Sequence, residues 1–233
     1  MCGIAGIVDL RGLSEIADGL LRGMTDALTH RGPDESGYHF APGVGLGHRR
    51  LSIIDLASGQ QPMASEDRRV WLTFNGEIYN FPDLRVQLEA AGYNFRTHSD
   101  TEVLLNAWRH WGEDCVRRLR GMFAFAVYDA ERETLFMARD HLGVKPLYYA
   151  LLNDGRLLFA SEFKSIVLCP QVPREIDPCA VDEYFAYGYV PEPRTIYRAV
   201  AKLAPGHSLL LRRARHPHRP SVTGTCRSSS IIS

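Results

Sequence analysis

The sequence has no apolar run that approaches the roughly 20 residues needed to cross a bilayer. Residues 1–20 also lack a basic segment followed by an apolar one, the pattern of a secretion signal. The five cysteines are widely separated and form no C-x-x-C pair, which argues against a zinc ribbon and a disulfide framework. These absences predict a protein of the reducing cytoplasm without a membrane partner.

Acidic residues are absent from residues 193–233, which carry eight basic side chains. The whole chain of 233 residues has a net charge of zero, so residues 1–192 are acidic overall. A basic tail can contact nucleic acid or lipid, but residues 212–233 are rich in proline, serine and arginine, a composition typical of disorder. We therefore predict a basic, disordered tail over 212–233, a folded domain over 2–211 and no nucleic-acid partner.

Residues 2–211 alternate strand-like and helix-like segments without an internal repeat. Apolar runs bounded by turn residues predict strands over 3–9, 37–40, 44–54, 70–75, 121–129, 134–139, 147–150 and 157–160. Helical spacing of apolar residues, together with residues typical of helix ends, predicts helices over 14–29, 82–92, 99–112 and 177–188. Ser14 and Ser99 are the predicted N-caps of two of these helices, and Glu102 completes a capping box with Ser99. Together these segments predict a mixed α+β domain.

Cys2 combines two catalytic groups if Met1 is removed. Its thiol then lies on the same residue as a free α-amine, whose reference pKa of about 7.7–8.0 leaves it partly neutral at physiological pH. Such an amine can take the thiol proton, as a histidine does in other cysteine hydrolases. The alternative is an ordinary thiol at a frayed terminus.

Eight short motifs in the chain resemble, in the same order, those of one known family. They are Cys2-Gly-Ile, Arg31-Gly-Pro-Asp34, Arg50-Leu-Ser-Ile, Asn75-Gly-Glu-Ile-Tyr-Asn80, Ser99-Asp-Thr-Glu102, Gly121-Met-Phe-Ala-Phe, Arg139-Asp-His-Leu-Gly143 with Pro146-Leu-Tyr148, and Ala160-Ser-Glu162. This set resembles the glutaminase domain (a class II glutamine amidotransferase) of glutamine-hydrolysing asparagine synthetases. The resemblance extends from residue 2 to about residue 210, and its motifs carry weight together rather than singly.

The resemblance implies an N-terminal nucleophile hydrolase fold, in which two packed antiparallel sheets are covered by helices in a four-layer αββα sandwich. It also implies hydrolysis of L-glutamine to glutamate and ammonia through a thioester on Cys2, without a cofactor. Asn75, through its side-chain amide, and Gly76, through its backbone N–H, would form the oxyanion hole, where one good donor is worth about 10²–10³ in rate.

The resemblance further implies a binding site for free glutamine. Arg50 would grip the α-carboxylate, because a guanidinium fork matches a carboxylate at two points. Asp100 would bind the α-ammonium with Glu77 as a helper. Leu51, Ser52, Ile53 and Ile54 would supply backbone groups around the same ligand.

The neighbouring motif residues favour structural roles. Arg31 and Asp34 are interpreted as braces of a loop beside the pocket, and Arg139 with Asp140 as an ion pair at a strand end. His30, His48 and His141 lack the spacing of metal ligands, so no metal site is predicted.

The chain departs from the family in one large respect. It has no Ser-Gly-Gly-x-Asp-Ser loop of the kind that cradles pyrophosphate in the family's ATP-dependent synthetase domain, where ATP and Mg²⁺ act on aspartate. We therefore expect a truncated or frame-shifted product whose ammonia needs a synthetase domain or chain as acceptor. An acceptor in bacterial exopolysaccharide systems, a homodimer, and a non-catalytic module that binds glutamine or a partner all stay open.

Overall fold

The computed structural model describes residues 1–9, 11, 15–51, 59–212 and 227–230, the last of these by backbone only. Two six-stranded antiparallel sheets pack face to face, and helices cover the outer face of each. This arrangement confirms the predicted four-layer αββα sandwich.

Sheet A contains the strand that follows Cys2. Its strands are β1 (Gly3–Val8), β2 (Glu35–Ala41), β3 (Val44–Arg50), β8 (Tyr148–Leu151), β9 (Leu157–Ala160) and β10 (Ala201–Lys202). They lie in the order β10-β8-β9-β1-β3-β2, so β1 is paired on both sides, with β3 and with β9. A terminal nucleophile placed before β1 therefore starts from a fixed backbone.

Sheet B carries the predicted oxyanion residues. Its strands are β4 (Met63–Ala64), β5 (Val70–Ile78), β6 (Gly121–Asp129), β7 (Thr134–Arg139), β11 (His207–Arg212) and β12 (Arg227–Ser230), in the order β12-β11-β7-β6-β5-β4. β4 pairs only with Trp71 and Leu72 of β5. Among the described strands, none pairs with the second half of β5 on the side away from β6.

Five helices and one 3₁₀ segment in the described part of the chain complete the fold. They are α1 (Asp18–Asp26), α2 (Phe81–Ala90), α3 (Asp100–Trp111), α4 (Phe163–Ile166), α5 (Pro178–Tyr187) and the 3₁₀ segment Gly112–Arg118. α1 and α4 pack on sheet A, while α2 and α3 pack on sheet B.

Strand β6 shows why the sequence of a doubly covered strand reads as continuously apolar. Phe123 and Phe125 point toward the helices on sheet B, whereas Ala124 and Ala126 point into the core between the sheets. Both faces are buried, so the period of two is hidden in the hydropathy pattern.

One predicted helix start and one predicted capping contact differ from the structure. The first helix begins at Asp18, with Ala17 as an N-cap that makes no side-chain bond, and the predicted cap Ser14 lies outside the described residues. At α3, Ser99 Oγ accepts the N–H of Glu102 as predicted, at 3.3 Å. In a capping box the Glu102 carboxylate would accept the backbone N–H of Ser99. It accepts instead the N–H groups of Arg96 and Thr97, in the turn before the helix.

The predicted ion pair between Arg139 and Asp140 is wrong. Arg139 pairs with Glu192 at 2.8 Å and donates to three backbone carbonyls, while Asp140 accepts the backbone N–H groups of Phe123, Leu142, Val144 and Lys145. Because successive residues on a strand point to opposite faces, the two side chains are directed apart.

The predicted disorder of residues 212–233 stays a prediction, because residues 213–226 and 231–233 lie outside the described ranges. Arg212 is the last residue of β11, and Arg227–Ser230 pairs with β11 as β12.

Candidate functional site

Cys2 lies directly before β1, where the register places Gly3 opposite Arg49 of β3. Its sulfur accepts the backbone N–H of Leu51 at 3.5 Å and lies 3.8 Å from the Leu51 carbonyl oxygen, to which the thiol donates. Leu51 was predicted to supply backbone groups to the site, and here those groups hold the sulfur. Cys2 is therefore fixed by the pairing of β1 on one side and by the backbone of Leu51 on the other.

Burial raises the pKa of the Cys2 thiol, while the Leu51 N–H and the positive charges of Arg50 and Lys145 act in the opposite direction. Because the net direction is upward, the resting thiol is protonated at neutral pH. A neighbouring base must take its proton before the sulfur can attack a carbonyl carbon.

Asn75 lies in the middle of β5 and is almost completely buried. Its side-chain nitrogen Nδ2 is buried and has no hydrogen-bond partner among the described residues. Buried polar groups are nearly always paired, so an orphaned amide donor marks either strain or a place for a ligand acceptor.

The backbone N–H of Gly76 points to the edge of β5 that faces away from β6, called the open edge here because no described strand pairs with its second half. N–H groups alternate in direction along a strand, and those of Phe74 and Ile78 are bonded on that edge, to Gln61 Oε1 at 2.6 Å and to Asp100 Oδ2 at 3.0 Å. Phe123, which is opposite Gly76 on β6, uses its own N–H and carbonyl on Asp140. The N–H of Gly76 therefore lies beside Asn75 on the open edge, between two occupied positions.

Glycine is required at position 76 by close packing. A Cβ there would lie 2.3 Å from the carbonyl oxygen of Met122 and 2.6 Å from the Phe74 ring. The structure also corrects the prediction that the strand ends at Asn75, because β5 continues through Gly76 and Glu77 to Ile78. An Asn-Gly pair is usually read as a turn, and here it lies inside a strand.

His48 joins the two sheets beside the site. It lies on β3, is completely buried, and its Nε2 donates to the carbonyl oxygen of Phe74 on β5 at 3.1 Å. Burial, opposed by this bond and assisted by the positive charge of Arg50, lowers the pKa of His48 to about 4. The ring is therefore neutral at physiological pH, and its hydrogen bond links β3 of sheet A to β5 of sheet B.

We expect His48 to make stability fall in mild acid. Its pKa is about 4 in the folded chain and 6.5 as a free group, so the unfolded chain binds the proton more tightly. The contribution of neutral His48 to the free energy of unfolding is complete above pH 6.5. As the pH falls toward 4, the protein loses on the order of 2–3 kcal/mol of it. Urea unfolding at a series of pH values measures it. His48→Gln should reduce the slope of the free energy of unfolding against pH, whereas His141→Gln, at an exposed position, should leave this slope as in the wild type. Equal slopes in all three chains would contradict the assignment.

Arg50 is the last residue of β3 and is buried. Its Nη1 donates to Glu35 Oε2 at 2.9 Å, across the pair Glu35 and Arg50 on β2 and β3. The two side chains, with His48 and Gln61, line a cavity of about 360 Å³. Sequence reasoning missed Glu35 and Gln61, although the register of the β2–β3 hairpin could have placed Glu35 opposite Arg50.

Asp100 begins α3 and is also buried. Burial raises the pKa of its carboxyl, the negative charge of Glu77 raises it further, and the bond from the Ile78 N–H opposes this. A cation bound between the two carboxylates would relieve the effect of the Glu77 charge on Asp100. The predicted pair for an ammonium group is thus brought together at the Ile78 end of the open edge, with Asn75 and Gly76 next along the strand.

Three predicted ligands, Ser52, Ile53 and Ile54, lie outside the described residues. A larger cavity of about 950 Å³, at the end of α3 around Trp108 and Trp111, contains none of the predicted site residues. Within the described ranges, no group of three or more His, Cys, Asp or Glu side chains could hold a metal ion. None of the described helices is long and apolar enough to span a bilayer.

Comparison of the sequence with known proteins shows which family the chain is similar to. A family model for the glutamine amidotransferase domain matches residues 1–220. The glutamine-hydrolyzing asparagine synthetase 1 of Bacillus subtilis (strain 168) is 46% identical over 214 residues, which cover 91% of this chain and 34% of that protein. A putative glutamine-hydrolyzing asparagine synthetase of Mycobacterium tuberculosis (strain ATCC 25618 / H37Rv) is 44% identical over 193 residues, 77% of this chain and 29% of the relative. The chain spans about a third of the length of these curated relatives.

Solved structures share the fold. The glutamine phosphoribosylpyrophosphate amidotransferase from B. subtilis, complexed with ADP and GMP, superposes with a TM-score of 0.65 at 20% identity, over 99% of this chain and 49% of that one. This likeness concerns the fold, and it confirms the N-terminal nucleophile hydrolase architecture predicted from the motifs.

Proposed function

The chain belongs to the glutamine amidotransferase domain family and is homologous to the glutaminase part of asparagine synthetases, and from this premise we propose that Cys2 cleaves the side-chain amide of L-glutamine. The products are glutamate and ammonia, and the reaction needs no cofactor. The observation that carries the proposal is the orphaned Nδ2 of Asn75 next to the open N–H of Gly76.

The first half of the reaction transfers the glutamyl group to sulfur. The α-amine that is exposed on removal of Met1 takes the thiol proton, and the sulfur attacks the carbonyl carbon of the substrate amide. The carbonyl oxygen becomes an oxyanion, which accepts hydrogen bonds from Asn75 Nδ2 and the Gly76 N–H. The intermediate collapses as the carbon–nitrogen bond breaks, and the α-ammonium returns its proton to the leaving ammonia.

The second half regenerates the thiol. Water loses a proton to the α-amine and attacks the thioester carbon, and the same two donors hold the second oxyanion. The carbon–sulfur bond breaks, glutamate leaves, and the sulfur recovers its proton from the α-ammonium. One glutamine and one water are consumed for each glutamate and ammonia formed.

Charge complementarity supports free glutamine as the substrate. Arg50 would bind the α-carboxylate at one end of the open edge, and Asp100 with Glu77 would bind the α-ammonium at the other. Glu35 holds Arg50 at 2.9 Å, so it fixes the guanidinium before the ligand arrives. Leu51 and residues 52–54 are proposed to complete the contacts.

We infer the fate of the ammonia from the relatives. Both curated relatives named above are called asparagine synthetases, so we propose that the ammonia passes to an ATP-dependent synthetase domain or chain that amidates aspartate in the cytoplasm. ATP and Mg²⁺ would serve that partner and not the glutaminase. An acceptor of exopolysaccharide biosynthesis is the alternative.

Labelling with an electrophilic glutamine analogue, such as a chloroketone of the same length, tests the proposal. We expect one equivalent to attach to Cys2, as mapped by peptide mass spectrometry, and L-glutamine to protect against it. Intact mass of the untreated chain should show loss of Met1. Glutamine binding by calorimetry without labelling and without ammonia release would instead identify a non-catalytic binding module.

A further inference from the structure

The motifs Arg31-Gly-Pro-Asp34 and Ala160-Ser-Glu162 have no part in the reaction as proposed. Side chains from both lie next to Cys2. Arg31, in the turn after α1, donates from Nε to the carbonyl oxygen of Cys2 at 3.0 Å. Its Nη1 donates to Glu162 Oε1 at 2.9 Å. The Arg31 side chain is 9% exposed, so this ion pair is largely shielded from water. Arg31 was predicted to brace a loop, and the structure shows it bonded to the nucleophile's own backbone.

Glu162 is held in place by the sheet. Its neighbour Ser161 is bonded twice to Ile4 of β1, because the Ile4 N–H donates to Ser161 Oγ at 3.0 Å and the Ser161 N–H donates to the Ile4 carbonyl at 2.9 Å. The carboxylate therefore has a fixed position relative to the start of β1, two residues from Cys2. Movement of Glu162 would be transmitted to the nucleophile through Arg31.

Charged groups from four parts of the chain face this region. His30 and Lys164 contact the Glu162 carboxylate at 2.7 and 3.3 Å, and Arg50 and Lys145 act electrostatically on the thiol. Tyr148 also lies in the field of Arg31 and Glu162. Although burial opposes it, hydrogen bonds from Arg31, His30 and Lys164 lower the pKa of the Glu162 carboxyl. Glu162 is therefore ionised at neutral pH.

We propose that Glu162 is a positioning residue for the terminal nucleophile: its carboxylate holds Arg31 against the Cys2 carbonyl and cancels the guanidinium charge next to the α-amine. This role rests on the proposed function, since it concerns the amine that acts as base. It assigns to the Ala160-Ser-Glu162 motif a part in setting the working pH.

The direction of the effect follows from Coulomb's law. The α-amino nitrogen of Cys2 lies about 3–4 Å from its own carbonyl oxygen, so the guanidinium is within about 7 Å of it. An uncompensated cation at that distance favours the neutral amine and the thiolate, and moves their titration to lower pH. Removal of the cation has the opposite effect.

The test is a pair of variants with opposite predicted shifts. Glu162→Gln keeps an acceptor for Arg31 but removes the negative charge, so the acidic limb of the pH profile of kcat/KM for glutamine should move down by about half a pH unit. Arg31→Met removes the cation, so the limb should move up by a similar amount, with a lower kcat because Cys2 is held less firmly. Arg31→Lys keeps the charge and should keep the limb near its wild-type position.

The same shifts should appear in a measurement that needs no turnover. The rate of Cys2 alkylation by iodoacetamide is followed by mass spectrometry from pH 5 to 10. The midpoint of its rise with pH should move to lower pH in Glu162→Gln and to higher pH in Arg31→Met. The control is Glu183→Gln, which removes the carboxylate of an exposed ion pair with Arg194 and should leave both profiles unchanged.

The two hypotheses fail in different ways. Active wild-type protein whose two variants show unshifted profiles, or profiles shifted in the same direction, would overturn the role of Glu162 and leave the glutaminase intact. Wild-type protein that releases no ammonia would overturn the proposed function, while the alkylation profiles would still decide the role of Glu162. If Arg31→Met does not fold, by its thermal unfolding curve, the comparison of Glu162→Gln with Arg31→Lys decides.

Discussion

Replacing Cys2 with alanine is expected to reduce glutamine-dependent ammonia release to the background rate. Alanine has no nucleophile, so no thioester can form, and the remaining oxyanion donors do not supply one. Within the described structure the hydrogen bonds of the sulfur go to the backbone of Leu51, at 3.5 and 3.8 Å, and these are the polar contacts that the change removes. A coupled glutamate dehydrogenase assay for ammonia, with thermal unfolding as a check of the fold, measures the result.

Cys179 provides the matched control for this prediction. It is a free, exposed cysteine at the start of α5, so Cys179→Ala should retain wild-type activity. A chain that keeps Met1, or whose α-amine is acetylated, should be nearly as inactive as Cys2→Ala because the base is lost. Substantial ammonia release by either blocked chain would disprove the terminal amine as the base.

Replacing Asn75 with leucine is expected to lower kcat for ammonia release by about 10²–10³, or roughly 3–4 kcal/mol of transition-state stabilisation. One of the two proposed oxyanion donors is removed, while the Gly76 N–H stays. The same change should leave the unfolding midpoint almost unaltered or raise it. Asn75 Nδ2 has no partner within the described structure, so loss of this nitrogen breaks no hydrogen bond to a described residue.

This separation of activity from stability distinguishes an oxyanion donor from a structural amide. Asn106 of α3 is a buried asparagine whose side-chain oxygen accepts a bond from Arg109 at 3.1 Å, so Asn106→Leu should lose stability and keep kcat. The assignment of Asn75 fails if its replacement destabilises the protein and changes kcat less than tenfold. Steady-state kinetics and urea unfolding of the two variants provide the comparison.

Local signals in the sequence predicted most of the secondary structure. Strand 157–160 and strand 121–129 have the predicted bounds, and α5 begins at Pro178, one residue after the predicted start, with Asp177 as its N-cap. Errors occurred where tertiary contacts override local preference. The Asn75-Gly76 pair looks like a turn, but pairing with β6 keeps it extended, and the residue 76 position must be glycine because Met122 and Phe74 leave no room for a side chain.

The motifs predicted the chemistry of the site, and the structure added the residues that hold the site residues in position. Thiol, amide, guanidinium and carboxylate each have a characteristic reactivity, so Cys2, Asn75, Arg50 and Asp100 could be assigned roles from residue type and family resemblance. Gln61, Glu35 and Glu162 could not, because their contacts depend on strand register and on approach between segments far apart in the chain.

The sequence by itself determined which reactive groups the chain contains, the order of its elements and the family to which it belongs. Tertiary structure alone decided which donors are left unpaired and which charges face Cys2. The physical reason is that a hydrogen bond requires two atoms within about 3 Å in a fixed direction, and that geometry is set when β1, β3 and β5 are brought together across two sheets.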